Sequence, residues 1–117
     1  MIMHFHKGLA FARWQAFPWD KKILHIASEL IRARNCIRTD HREGKGKALE
    51  RALELIDASL ADASHPGSRS FLREFLRMRE AVSGFYVNPV CDPEELTQLI
   101  RGLLDLHGAT HNLKLKL

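Results

Sequence analysis

The chain has 117 residues, enough for one domain, and 45% of them are hydrophobic and 27% charged, the balance of an ordinary globular protein. Its net charge is +4 at pH 7, and no apolar run approaches the roughly 20 residues that a membrane-spanning helix needs. Two cysteines without C-x-x-C spacing point to free thiols in a reducing cytoplasm rather than to a disulfide or zinc framework. The opening Met1-Ile2-Met3-His4-Phe5-His6-Lys7 lacks the apolar core of a signal peptide, so the expected location is cytoplasmic.

Residues 1–16 read as an N-terminal arm or a short helix of its own, with Leu9, Phe11, Ala12 and Trp14 on an apolar side. A first long helix is expected over Asp20–Arg38, where Ile23, Ile26, Ala27, Leu30 and Ile37 share a face. Phe17-Pro18-Trp19-Asp20 is its start signal. The cluster Trp14, Phe17 and Trp19 is expected to cap one end of the core. Two glycines among charges mark residues 42–47 as a loop. A second helix then follows over Lys47–Ala63, with Leu49, Ala52, Leu53, Ile56 and Leu60 in a stripe. His65-Pro66-Gly67 ends it.

The third helix is expected over Ser68–Tyr86, with Phe71, Leu72, Phe75, Met78, Val82 and Phe85 as a broad apolar face. Asp92-Pro93-Glu94-Glu95 opens the fourth, combining an aspartate cap with proline at the first helical position. Leu96, Leu99, Ile100, Leu103 and Leu106 mark its buried face, and Gly108 is the expected stop before a loose tail over residues 109–117. The pattern is all-α: an antiparallel four-helix bundle in a single domain over residues 1–117.

Motifs of catalysis are weak or absent. His4-x-His6 and His107-x-x-x-His111 have chelating spacing, but no acidic or cysteine ligand clusters with either pair, so no metal site and no cofactor are expected. Arg101 and His107 resemble the arginine–histidine pair of helical toxin-system ribonucleases (the HEPN group), but Gly102 replaces the polar residue usual after the arginine. Cys36 and Cys91 would need an activating base to act as nucleophiles. There is no P-loop, dinucleotide fingerprint or nucleophile elbow. No catalytic residue is assigned and the chain is not expected to be an enzyme.

Charge is uneven along the chain. Residues 1–47 hold ten Lys/Arg against four Asp/Glu, a balance of +6, and residues 48–117 hold eight against ten, a balance of −2. Arg34, Arg38 and Arg42 follow at four-residue steps with Lys45 and Lys47 beyond, and Arg69, Arg73 and Arg77 form a second row. Such rows could hold phosphates, with an affinity that falls steeply as salt rises. They could equally be solvated helix faces, or receive an acidic or amphipathic partner helix.

Three stretches resemble the flagellin export chaperone (FliS) family of cytosolic helical bundles. They are Phe17-Pro18-Trp19-Asp20-Lys21-Lys22-Ile23, the run Ala48-Leu49-Glu50-Arg51-Ala52-Leu53-Glu54-Leu55-Ile56-Asp57, and Asp92-Pro93-Glu94-Glu95-Leu96 through Leu103-Leu104-Asp105-Leu106. The tyrosine and glycine of the family's Leu-Tyr-Asp-Gly stretch are missing near Ile26-Ala27-Ser28-Glu29, and its Leu-Tyr-x-Tyr-Met pattern survives only as apolar character near Phe75–Arg79. The resemblance implies a protein partner whose amphipathic helix is held in apolar grooves. Ile26, Leu30, Phe75, Met78 and Val82 would be its anchors, with Arg73 and Arg77 at the rim. The alternative is a basic oligomeric four-helix accessory protein that binds nucleic acid through Arg34, Arg38, Arg42, Lys45 and Lys47. Whether the chain forms a homo-oligomer is left open by the sequence; a membrane partner is not expected.

Overall fold

A computed structural model describes residues 11–61 and 69–111, without the side chains of residues 108 and 109. Every regular element in the described residues is helical: α1 (Phe11–Gln15), α2 (Trp19–Arg38), α3 (Arg42–Leu60), α4 (Arg69–Val87), α5 (Pro93–Leu104) and α6 (Gly108–His111). No helix is long and apolar enough to cross a membrane among the described residues.

Packing follows the apolar stripes. α2 packs against α3 and α5, α3 against α4, and α4 touches α5 more sparingly, while α1 lies on α3 and α6 on α2. Ile23, Ile26 and Leu30 of α2, Leu49 and Ile56 of α3, Phe75 and Val82 of α4, and Leu96 and Ile100 of α5 are fully buried in one core. Each contributes roughly 1.5–3 kcal/mol relative to exposure. Trp14, Phe17 and Trp19 close one end as expected. The Trp14 indole is fully buried and donates to Ser59 Oγ at 3.1 Å, and Trp19 packs edge-on against Phe71 and Phe75.

The largest difference from the sequence expectation lies between α2 and α3. Residues 42–47 are helix, not loop, and the chain reverses within Thr39-Asp40-His41. Asp40 adopts a left-handed backbone, φ 54°. His41 N donates to Cys36 O at 2.8 Å and Asp40 N to Ile37 O at 3.2 Å, the paired bonds of a Schellman ending with aspartate where glycine is usual. His41 then caps the next helix: its Nδ1 accepts from Gly44 N at 2.9 Å. Gly44 and Gly46 lower helix propensity, but tertiary contacts override it. A β-carbon on Gly44 would stand 2.4 Å from His41 Nδ1 and 2.8 Å from Cys36 Sγ, so glycine is required by space here.

Other boundaries shift less. α5 begins as its sequence predicts, with Asp92 accepting from Glu94 N at 2.9 Å and Pro93 in the first turn. It ends at Leu104, and Gly108 opens α6 instead of stopping α5. Residues 109–111, expected in the loose tail, belong to that short helix; Thr110 is buried and donates to Leu104 O at 2.6 Å. His65-Pro66-Gly67, residues 1–10 and residues 112–117 lie outside the described residues.

Replacing Gly44 with alanine should lower stability by about 1 kcal/mol, the usual worth of an N-cap, because the added carbon displaces the His41 ring. Urea unfolding of Gly44→Ala against Gly46→Ala checks this, since a β-carbon at Gly46 would meet only Tyr86, at 4.0 Å.

Candidate functional site

The apolar residues expected to anchor a partner are core residues instead. Ile26, Leu30, Phe75 and Val82 are fully buried, and Met78 is 4% exposed. The sequence shows that these positions share helical faces but not which faces the fold itself consumes. Only the outer edge of Met78 reaches a surface recess. Arg73 and Arg77 are exposed on α4 as expected, and Arg77 pairs with Glu74 at 3.0 Å.

The five residues of the basic row separate in the same way. Arg34 is 7% exposed and Lys45 is 9% exposed, so neither presents its charge to a phosphate. Arg34 Nη1 donates to Thr97 Oγ1 at 3.3 Å, while its buried Nε has no partner. Burial, then the like charge of Arg38, pushes the Arg34 guanidinium below its ordinary pKa, against the opposing pull of Glu94. Lys45 Nζ donates to Phe85 O at 3.2 Å and Asn88 O at 2.8 Å and lies 3.6 Å from Cys91 Sγ. Lys47 is exposed and pairs with Glu43 at 3.0 Å. Arg38 and Arg42 remain as exposed cations, on different helices.

A groove lies between α4 and α5. It consists of two recesses of about 270 and 310 Å³ that meet at Ala81. The first is floored by Met78, Leu99, Leu103 and Leu106, with Arg77 and Gly102 on its walls. The second runs past Gly84 and Phe85 to Val90, Cys91 and Glu95. On α4 these positions recur at three- and four-residue steps, and so do those on α5, so each helix contributes one continuous stripe. Charge on the α4 side is mixed, since Glu74 and Arg77 both line the first recess and pair at 3.0 Å, while Glu95 of α5 lines the second. Gly84 and Gly102 open the groove further, because a β-carbon at either would meet nothing within 4 Å.

At the far side of the α4–α5 connection lies a third recess of about 220 Å³, lined by Cys36, Asp40, His41, Lys45, Val90 and Cys91, among others. Both cysteines are partly buried free thiols. Cys91 Sγ also donates to Asn88 O at 3.2 Å and Phe85 O at 3.4 Å, sharing both carbonyls with Lys45.

No group of three or more metal-ligating side chains exists among the described residues. Of the histidine pairs, His4 and His6 lie outside the described residues, and His111 Nδ1 sits 2.7 Å from Asp105 Oδ1. Arg101 is on α5, whereas His107 falls between α5 and α6, so the two do not share a helix.

The fold defines an all-α, bundle-like protein with a polar-walled apolar groove. Comparison with protein-family models, curated proteins and solved structures finds no match to this chain.

Sequence reasoning missed Ala81, Gly84, Gly102 and Leu106 as groove residues. The available signal was glycine inside two otherwise strong helical patterns, at positions where nothing in the fold demands it.

Three outcomes follow from these placements. Leu30→Ala and Phe75→Ala should each lose about 2–5 kcal/mol in urea unfolding, the cost of emptying a core site rather than trimming a surface anchor. Arg34→Met should leave stability unchanged or raise it by about 1 kcal/mol, because a buried guanidinium with an orphaned nitrogen is exchanged for an apolar chain of similar reach. Thr97 keeps its bond to Pro93 O in that variant. Gly84→Ala and Gly102→Ala should each raise stability by about 0.5–1 kcal/mol, read as a higher melting temperature.

Proposed function

We propose that this protein is a non-catalytic, cytoplasmic helix-binding adaptor or chaperone. In this reading α2–α5 form an antiparallel four-helix bundle, and the α4–α5 groove receives an amphipathic helix from a partner protein. The observation that carries the reading is the groove itself: two joined recesses, apolar along the floor, running the length of two helices. An apolar stripe at i, i+3, i+4 and i+7 on a partner would lie along it.

The walls narrow the chemistry of that partner. Arg77 is already paired with Glu74 on the α4 side, so the ionic contact the groove offers a partner helix is a basic residue set beside Glu95. Gly84 and Gly102 let its backbone approach closely. The resemblance of three sequence stretches to flagellin export chaperones supports the same class of work, with the contact moved from the core anchors to the groove. Nucleic-acid binding loses support because Arg34 and Lys45 are buried and Lys47 is paired.

The test is capture from a cytosolic lysate by three purified proteins: the native chain, Gly102→Trp, and the double variant Arg38→Glu/Arg42→Glu. The native chain and the double variant should retain the same protein partner at raised salt, and Gly102→Trp should weaken it by tenfold or more, about 1.4 kcal/mol. Retention of nucleic acid that is lost at raised salt and in the double variant, yet kept by Gly102→Trp, would overturn the reading.

A further inference from the structure

We propose that Cys36 and Cys91 are a redox pair, oxidised to an intramolecular disulfide by exchange with a small-molecule disulfide such as oxidised glutathione, and that the bridge reshapes one end of the α4–α5 groove. The chain has only these two cysteines, one at the end of α2 and one in the α4–α5 connection, and the fold brings both to the same recess. Neither thiol is sealed in the core.

The surroundings are polar and charged, unlike those of an inert buried cysteine. The Lys45 ammonium lies 3.6 Å from Cys91 Sγ, where it attracts the sulfur's developing negative charge during exchange. Cys36 Sγ and the His41 ring both crowd the space above Gly44. His41 Nδ1 accepts from Gly44 N at 2.9 Å, which holds the ring in place beside the recess.

The chemistry balances with the oxidant named. Cys91, as thiolate, attacks one sulfur of the small disulfide; that S–S bond breaks, one small thiol leaves with the proton Cys91 gave up, and a mixed disulfide remains. Cys36 then attacks the Cys91 sulfur of the mixed disulfide, and a second small thiol leaves with the Cys36 proton. Two electrons pass from the protein thiols to the small disulfide.

The segment that must move is lightly held. Asn88, Pro89 and Val90 are exposed, and the segment is tied by Asn88 N donating to Gly84 O at 3.1 Å, by the Lys45 and Cys91 bonds to Phe85 O and Asn88 O, and by the Asn88 side chain accepting from Val90 N at 3.0 Å. Val90 and Cys91 line the thiol recess on one side and the groove's second recess on the other. Drawing Cys91 toward α2 therefore moves a groove wall. This coupling rests on the helix-binding reading; the disulfide itself does not.

The experiment treats the reduced, full-length protein with oxidised glutathione, maps the products under non-reducing conditions by mass spectrometry, and follows amide hydrogen exchange in both redox states. The expected product is a monomer carrying a Cys36–Cys91 bridge, with Cys36→Ser and Cys91→Ser each stopping at a single mixed disulfide. Exchange over residues 84–91 should change on oxidation by severalfold while residues 48–58 stay as they were. Glutathione on both thiols of the native chain, cross-linked dimers, or no reaction would each overturn the redox pair. A bridge that forms without altering exchange over residues 84–91 would overturn the coupling. No partner helix is present in these measurements, so a failed capture experiment leaves their outcome intact, and the reverse also holds.

Discussion

Lys45 sets much of the architecture around one end of the molecule. An ammonium withdrawn from water must find acceptors, because leaving it without them costs several kcal/mol. Its acceptors are Phe85 O and Asn88 O, at the end of α4 where a helix leaves carbonyls unsatisfied and the negative end of its dipole points. One side chain from the first turn of α3 thus ties the end of α4 and the start of the 88–91 connection to α3, and Pro89 independently opposes continuation of α4. The position of that connection in turn shapes both the thiol recess and the end of the groove. The same contact gives a physical reason for α3 to begin at Arg42 despite two glycines nearby, since a loop would not deliver Lys45 to its acceptors.

Polar ties are spread unevenly over the seams between helices. Glu29 of α2 accepts from Arg51 of α3 at 3.0 Å, and Asp57 of α3 takes two bonds from Arg79 of α4, at 2.6 and 3.3 Å. The Tyr86 hydroxyl donates to Glu50 at 2.6 Å, a bond that raises the phenol's pKa, and Arg34 joins α2 to Thr97 of α5. No ion pair between described residues joins α4 to α5. Geometry adds specificity to the first three seams beyond their apolar contacts, and the fourth relies on Met78, Leu99 and Leu103 at its inner margin.

The helical class was legible in the sequence because apolar periodicity and the Asp92-Pro93 cap report local structure directly. Positions such as Ile23, Leu49 and Ile100 could be placed in the core for the same reason. The α2–α3 turn was not legible: aspartate in a left-handed backbone and histidine as a cap are uncommon choices, and Gly44 and Gly46 give the standard loop signal at the wrong place. Arg34 and Lys45 were misplaced because residue type argues for exposure, and only the tertiary fold reveals acceptors such as the Asn88 carbonyl. Of the candidate contact residues, Arg77 and Met78 line the groove, whereas Phe75 and Val82, on the same helix, face inward. A stripe read from one helix cannot divide itself between core and surface; that depends on where the neighbouring helix lies.

The sparse α4–α5 seam also bears on how the molecule breathes. Proteins open in cooperative pieces, and the piece with the fewest buried contacts and polar ties opens at the lowest free energy. α4 is anchored on its α3 side by Arg79 and Tyr86, so excursions that separate it from α5 can leave the α2–α3 half intact. Such partial openings would occur far more often than global unfolding. The population of widened grooves is therefore governed separately from the overall stability of the fold, and evolution can adjust one without surrendering the other.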